Sequence, residues 1–179
     1  MSPIVSTEDF AQLVRQHAAA VTDFAARLLT DRREAEEVAQ DAFVKAFRRL
    51  PTFRGESSLL TWVQRIAYHE ALDRLRRRRP CTVDISDPAV ESECRSLASG
   101  DEAGLAAERE ARIRLMEEAV DRLPPDDQLL LHLFYYEERP LREIAYIMDA
   151  EPNTLSQRLR RIRKRLMVMM KQKEDGQHE

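Results

Sequence analysis

Pro152-Asn-Thr-Leu-Ser-Gln-Arg-Leu-Arg-Arg-Ile-Arg-Lys-Arg-Leu-Met-Val-Met-Met170 settles the class of this chain. Leu155, Leu159, Ile162, Leu166 and Met169 recur at the spacing of one helical face, while Arg158, Arg160, Arg161, Arg163, Lys164 and Arg165 fill the positions between them. One face is suited to a core and the others to phosphate. Just upstream, Leu141-Arg-Glu-Ile-Ala-Tyr-Ile-Met148 is a shorter amphipathic segment, joined to the long one by Asp149-Ala-Glu151. This is the outline of a helix-turn-helix. Pro140 suits a first helical turn, and Asp149 tolerates the left-handed conformation that a tight turn needs. A docked second helix meets base edges with its N-terminal end, which places Asn153, Thr154, Ser156, Gln157 and Arg158 there. Asn, Gln and Arg can contact bases in a bidentate manner; Arg160, Arg161, Lys164 and Arg165, farther along, suit phosphates. A solvated basic helix is the plainer alternative.

Working outward, the charge is segregated. Asn153 to Lys173 holds eight bases and no acid, whereas Pro80 to Glu110 holds eight acids against Arg95 and Arg109. The formal net charge of −3 therefore conceals basic elements separated by an acidic connector. Only 4 Gly and 6% aromatic residues, beside a hydrophobic share of 43%, favour an all-α protein with essentially no sheet. No run approaches the roughly 18 apolar residues that span a bilayer, and the N-terminus lacks a secretion signal, so a soluble, cytoplasmic protein without membrane insertion is expected. Cys81 and Cys94 lie in the polar connector without a CxxC and read as free thiols, with a redox pair as the alternative. His17, His69, His132 and His178 form no metal or catalytic spacing with them, which argues against an enzyme and against a cofactor.

The remaining helices follow from caps and periodicity. Ser6-Thr-Glu-Asp9 reads as a capping box that opens a helix expected to stop near Thr30. Asp31-Arg-Arg-Glu34 opens a second, striped by Ala35, Val38, Ala39, Ala42, Phe43, Ala46, Phe47 and Leu50 and closed by Pro51. A third runs to about Arg79 with Leu59, Trp62, Val63 and Ile66 on one arc. Residues 1–80 thus form a helical bundle, 81–104 a linker, and 105–179 a four-helix domain whose first helix begins near Leu105 and whose second spans about Gln128 to Tyr136.

The N-terminal bundle carries two further surfaces. Its third helix ends in Asp73-Arg-Leu-Arg-Arg-Arg-Arg79, a second cationic cluster, and Arg65, Tyr68, Leu72 and Arg76 share one row. An aromatic among cations is how single-stranded bases are gripped; Tyr68 reads equally as a core residue. On the second helix, Glu34, Glu36, Glu37, Gln40 and Asp41 stand beside Phe43, Val44 and Phe47, more aromatic area than one packed face requires. Such a surface suits a protein partner, although bundle packing explains most of the apolar stripe.

Taken together these pieces resemble the extracytoplasmic-function (ECF) class of bacterial sigma factors. Glu36-Glu-Val-Ala-Gln-Asp-Ala-Phe-Val-Lys-Ala-Phe47 is similar to the family's core-polymerase-binding motif, and Phe53-Arg-Gly-Glu-Ser-Ser-Leu-Leu-Thr-Trp-Val-Gln-Arg-Ile-Ala67 to its promoter-melting segment. Leu123-Pro-Pro and Leu141 through Leu166 are similar to its C-terminal promoter-binding domain.

The resemblance implies an alternative sigma factor with three surfaces. Glu37, Gln40, Asp41, Val44 and Phe47 would dock on the clamp helices of the largest RNA polymerase subunit, with the C-terminal domain near the flap of the second. Phe53, Arg54, Gly55, Glu56, Ser57 and Ser58, with Arg65, Tyr68, His69 and Arg76, would capture the minus-ten element. The helix from Pro152 would read the minus-thirty-five element. It further implies an anti-sigma factor, in this family frequently membrane-anchored. His69 stands where Asn is usual, Asp149 where the turn often has Gly, and Ser156 where a base is frequent. A dimeric helix-turn-helix regulator acting without polymerase is the competing reading, and it leaves the N-terminal motifs idle.

Overall fold

The computed structural model describes residues 5–78 and 102–176, the side chains of 102–108 and 173–176 excepted. All regular structure among them is helical: α1 Thr7–Ala26, α2 Arg32–Arg49, a 3-10 turn Leu50–Thr52, α3 Leu59–Arg78, α4 Glu102–Asp121, α5 Pro125–Leu131, a π-helical turn His132–Tyr136, α6 Leu141–Met148 and α7 Pro152–Gly176. Most of the expected linker, Cys81 and Cys94 included, lies outside the described residues.

Local chemistry sets the helix starts. The Ser6 hydroxyl accepts from the Asp9 amide at 3.1 Å while the Asp9 carboxylate accepts from the Ser6 amide at 3.0 Å, so two otherwise orphaned donors are satisfied reciprocally. Asp31 caps α2 by accepting from the Arg33 amide at 2.8 Å. Ser58 does the same for α3 through the Thr61 amide at 3.0 Å. Three ends differ from the sequence reading. Helix α1 stops at Ala26, short of Thr30, because Leu28 and Leu29 turn back into the core. Helix α4 begins at Glu102, ahead of Leu105. The expected helix from Gln128 to Tyr136 is an α-helix from Pro125 that widens at His132 into a π turn, closed by the Glu137 amide donating to the His132 carbonyl at 3.1 Å.

Small residues let the N-terminal helices approach closely. Helix α2 buries Ala35, Val38, Ala39, Ala42 and Ala46 against Phe10, Val21, Phe24 and Ala25 of α1 and the apolar arc of α3. In the C-terminal half, Leu129, Leu130 and Leu133 meet Ile144 and Ile147 of α6 and Leu155, Leu159, Ile162 and Leu166 of α7, all buried. The two halves also touch. Helix α3 is buried on both sides, since α1 and α2 cover Val63 and Ala67 while α6 packs across it from the C-terminal half. That double covering explains its weak amphipathic signature.

Candidate functional site

The helix-turn-helix has the geometry its sequence called for. Asp149 sits at φ 53°, ψ 47°, a left-handed residue that ends α6, and the Ala150 amide returns to the Ala145 carbonyl at 3.0 Å. Helix α7 then opens on Pro152, with Leu155 and Leu159 buried against α5 and α6. That anchoring leaves Asn153, Thr154, Ser156 and Gln157 exposed at its N-terminal end, and Arg160, Arg161, Lys164 and Arg165 exposed along its length. Arg158 differs. Its Nε–H donates to the Asp127 carboxylate, and its Nη2 lies 3.9 Å from Asp126 Oδ2.

Asp126 in turn faces the N-terminal bundle. Its Oδ1 is buried without a hydrogen-bond partner, and burial pushes the carboxyl above its ordinary range against the opposing pull of Arg158. Tyr68 of α3 is only 4% exposed; burial first, then the charge of Asp126, raises its phenol well above the usual tyrosine value. Of the two sequence readings of Tyr68, the buried one describes this arrangement, with the cover supplied partly by the other half of the chain.

Its neighbours on α3 are covered from the same side. Thr61 donates to the Glu143 carboxylate at 2.7 Å. Arg65 donates to the Tyr146 carbonyl at 2.9 Å, lies with its guanidinium carbon 4.7 Å from the Tyr146 ring centre, and is ion-paired with Asp149. His69 holds the Arg65 carbonyl through Nδ1 at 2.7 Å and brings Nε2 to 3.8 Å from Asp149. Arg76, one turn beyond Leu72, stays exposed beside Asp73. The preceding loop is also accessible: Arg54, Gly55, Glu56 and Ser58 are exposed and Ser57 half-buried, while Phe53 packs on Trp62 with ring centres 5.1 Å apart. Gly55 turns the chain at φ 73°, where a side chain would be strained.

On α2, Val44 is 49% and Phe47 50% exposed, and the Phe47 ring leans on Phe10 at 5.7 Å. Gln40 is exposed beside them. Arg74 of α3 donates to Glu37 at 2.7 Å and to Asp41 at 3.1 Å, fixing both carboxylates at the rim of this apolar patch. The α2 patch thus stands apart, whereas Arg65 and His69 of α3 are brought against Tyr146 and Asp149 at the turn that leads into α7. Sequence reading missed Phe10, Arg74, Asp126, Asp127, Glu143 and Tyr146 as partners of the candidate residues. Only Asp149, standing where glycine is usual, carried a local signal.

Residues 13–80 match Sigma-70 region 2, and residues 113–166 match Sigma-70, region 4. The RNA polymerase sigma-H factor of Pseudomonas aeruginosa is 32% identical over 161 residues, covering 86% of this chain and 82% of the relative. The ECF RNA polymerase sigma-E factor of Escherichia coli K12 is 32% identical over 139 residues, covering 73% and 70%. Among solved structures, the sigma factor RpoE of Bartonella quintana, crystallised with the anti-sigma factor NepR, superposes with a TM-score of 0.63 at 24% identity over 92% of this chain and 98% of that one. CnrH, in complex with the cytosolic domain of CnrY, gives 0.60 at 21% identity over 93% and 90%. At those identities the structures speak for the fold alone. The chain belongs to the sigma-70 family of RNA polymerase sigma factors. Within it, the chain is an alternative sigma factor of the extracytoplasmic-function class.

Proposed function

We propose that residues 1–80 form the polymerase-docking and minus-ten domain, 81–104 a linker and 105–179 the minus-thirty-five domain of a factor that directs promoter-specific initiation. The observation that carries this reading is the start of α7, where Asn153, Thr154, Ser156 and Gln157 stand exposed around the buried Leu155. A recognition helix needs that combination, an anchored inner face and free polar groups at the end entering the major groove. Arg158 adds a further base contact once free of Asp126 and Asp127, and Arg160, Arg161, Lys164 and Arg165 hold phosphates.

The exposed patch of Val44 and Phe47, rimmed by Glu37, Gln40 and Asp41, docks on the clamp helices of the largest polymerase subunit, and the C-terminal domain reaches the flap of the second. Phe53 to Ser58 receive an unstacked minus-ten base, and Arg76, joined by Arg65, Tyr68 and His69 once the C-terminal half no longer covers them, holds the opened strand. Unstacking costs a few kcal/mol per step, about what binding a displaced strand in a basic, aromatic groove can offset. No bond is made or broken by this chain, which acts in the cytoplasm. Among the described residues no helix is long and apolar enough to cross a membrane. An anti-sigma factor holds it inactive, as the solved complexes of RpoE with NepR and CnrH with CnrY suggest by likeness of fold.

The test is co-purification with core polymerase followed by run-off transcription. Stable association and promoter-dependent transcripts are expected. Operator binding as a dimer, with no polymerase association, would favour the regulator reading, which leaves the N-terminal surface of α2 without a task.

A further inference from the structure

Helix α3 is tied to α2 by ion pairs on successive turns. Glu70 meets Lys45, Arg74 meets Glu37 and Asp41, and Arg78 meets Glu34. Of these, only Arg74 spans two carboxylates: its Nη1–H donates to Glu37 Oε2 at 2.7 Å and its Nη2–H to Asp41 Oδ2 at 3.1 Å. Those acids stand one turn apart on α2, about 6 Å along its axis, a spacing at which like charges repel. The same two acids rim the half-exposed Val44 and Phe47.

The fork adds little to the fold itself. Helix α2 is already seated by its buried Ala35, Val38, Ala39, Ala42 and Ala46, and the side chains of Glu37 and Asp41 remain 64% and 54% exposed, where ion pairs contribute little. What it sets is direction. An untethered carboxylate samples several rotamers, and each must be frozen when a partner docks. Arg74, its side chain only 25% exposed, holds one oxygen of each acid and leaves the other for an approaching donor.

We infer that Arg74 is a positioning residue for polymerase docking: it holds the Glu37 and Asp41 carboxylates side by side, preset for a partner that offers N–H or ammonium donors beside an apolar surface. This rests on the assignment of the α2 patch to polymerase. A residue of α3, the helix assigned to the promoter strand, thereby shapes the docking face of α2. Lysine is no substitute, because an ammonium on a flexible stem acts as a point charge and lacks the planar fork that holds two carboxylates at once.

The full chain is passed over immobilised core polymerase without DNA, and the dissociation constants of variants are compared. Arg32→Gln is the control: it removes one positive charge at the start of the same helix, with its exposed pairs to Asp23 and Glu36. Arg74→Gln should weaken association roughly tenfold relative to that control, the order expected when two side chains must newly be ordered on binding. Its melting temperature should match the control's. Arg74→Lys should recover only part of the loss. In a chain that already carries Glu37→Gln and Asp41→Asn, Arg74→Gln should change nothing further, because the groups it acts through are gone. Binding of Arg74→Gln equal to the control, full recovery by lysine, a further loss in the neutralised background, or a melting temperature below the control's would each overturn the inference. Wild-type affinity of the chain with Glu37→Gln and Asp41→Asn would remove the docking assignment as well, whereas weakened binding there beside an unaffected Arg74→Gln removes the inference alone.

Discussion

Arg65 of α3 is ion-paired with Asp149, the left-handed residue that turns the chain from α6 into α7. A residue proposed to hold the minus-ten strand is thereby fastened to the hinge of the proposed minus-thirty-five reader. The same aspartate has two separable tasks, one set by its backbone and one by its charge.

The backbone task can be isolated. Asn visits the left-handed region readily, whereas a β-branched residue does not, so Asp149→Val should cost about 1–2 kcal/mol and Asp149→Asn much less. Urea unfolding of the two variants measures this. Equal losses would contradict the left-handed geometry.

Base reading is tested best at Gln157, because it is exposed and Arg158 is not independent of the fold. Gln157→Ala should weaken binding to the upstream element by roughly 1–3 kcal/mol with an unchanged melting temperature. Arg158→Ala should lose promoter affinity and stability together, since it leaves the partly buried Asp127 and Asp126 without their cation. Gel-shift titration beside thermal melts distinguishes the two.

Phe47 and Phe24 provide the contrast for polymerase docking. Phe47 is half exposed while Phe24 is in the core. Phe24→Ala should cost about 3–5 kcal/mol of stability. Phe47→Ala should lose much less and instead abolish co-elution with core polymerase. Co-elution that survives Phe47→Ala would remove the patch from the docking surface.

Acid should weaken the fold through His132. Burial, then the charge of Arg27, lowers its pKa, while an unfolded histidine titrates near ~6.5. The unfolded chain therefore takes up the proton first. His132 contributes fully above that value, and its contribution is lost as pH falls through the lower folded value. Melting temperatures of the wild type should fall over that window, and His132→Gln should flatten the fall. Parallel curves would exclude this histidine as the cause.

How much of this was legible in the sequence depended on how local its cause is. The caps at Ser6 and Asp31, the left-handed Asp149 and the buried stripe from Leu155 to Leu166 each follow from neighbours a few residues apart, and each was readable. The end of α1 and the π turn at His132 were not, because Leu28, Leu29 and Leu133 keep the apolar spacing while the backbone changes course. What covers Thr61 and Tyr68 was hidden for a different reason, although a core place for Tyr68 was one of its two readings. Their cover comes from α5 and α6, with Glu143 lying 82 positions after Thr61, and periodicity reports that a face is apolar without reporting what meets a polar one. Asp149 read as a turn former only, and nothing local marked Asp126 or Glu143 as neighbours of α3.

The most direct measurement is to map transcript 5′ ends made by core polymerase reconstituted with this chain on total genomic DNA. The account expects a limited set of new starts, each preceded by two shared sequence elements at fixed spacing, and their loss with Phe47→Ala. Transcripts identical to those of core polymerase alone, while the chain still binds duplex DNA, would contradict it.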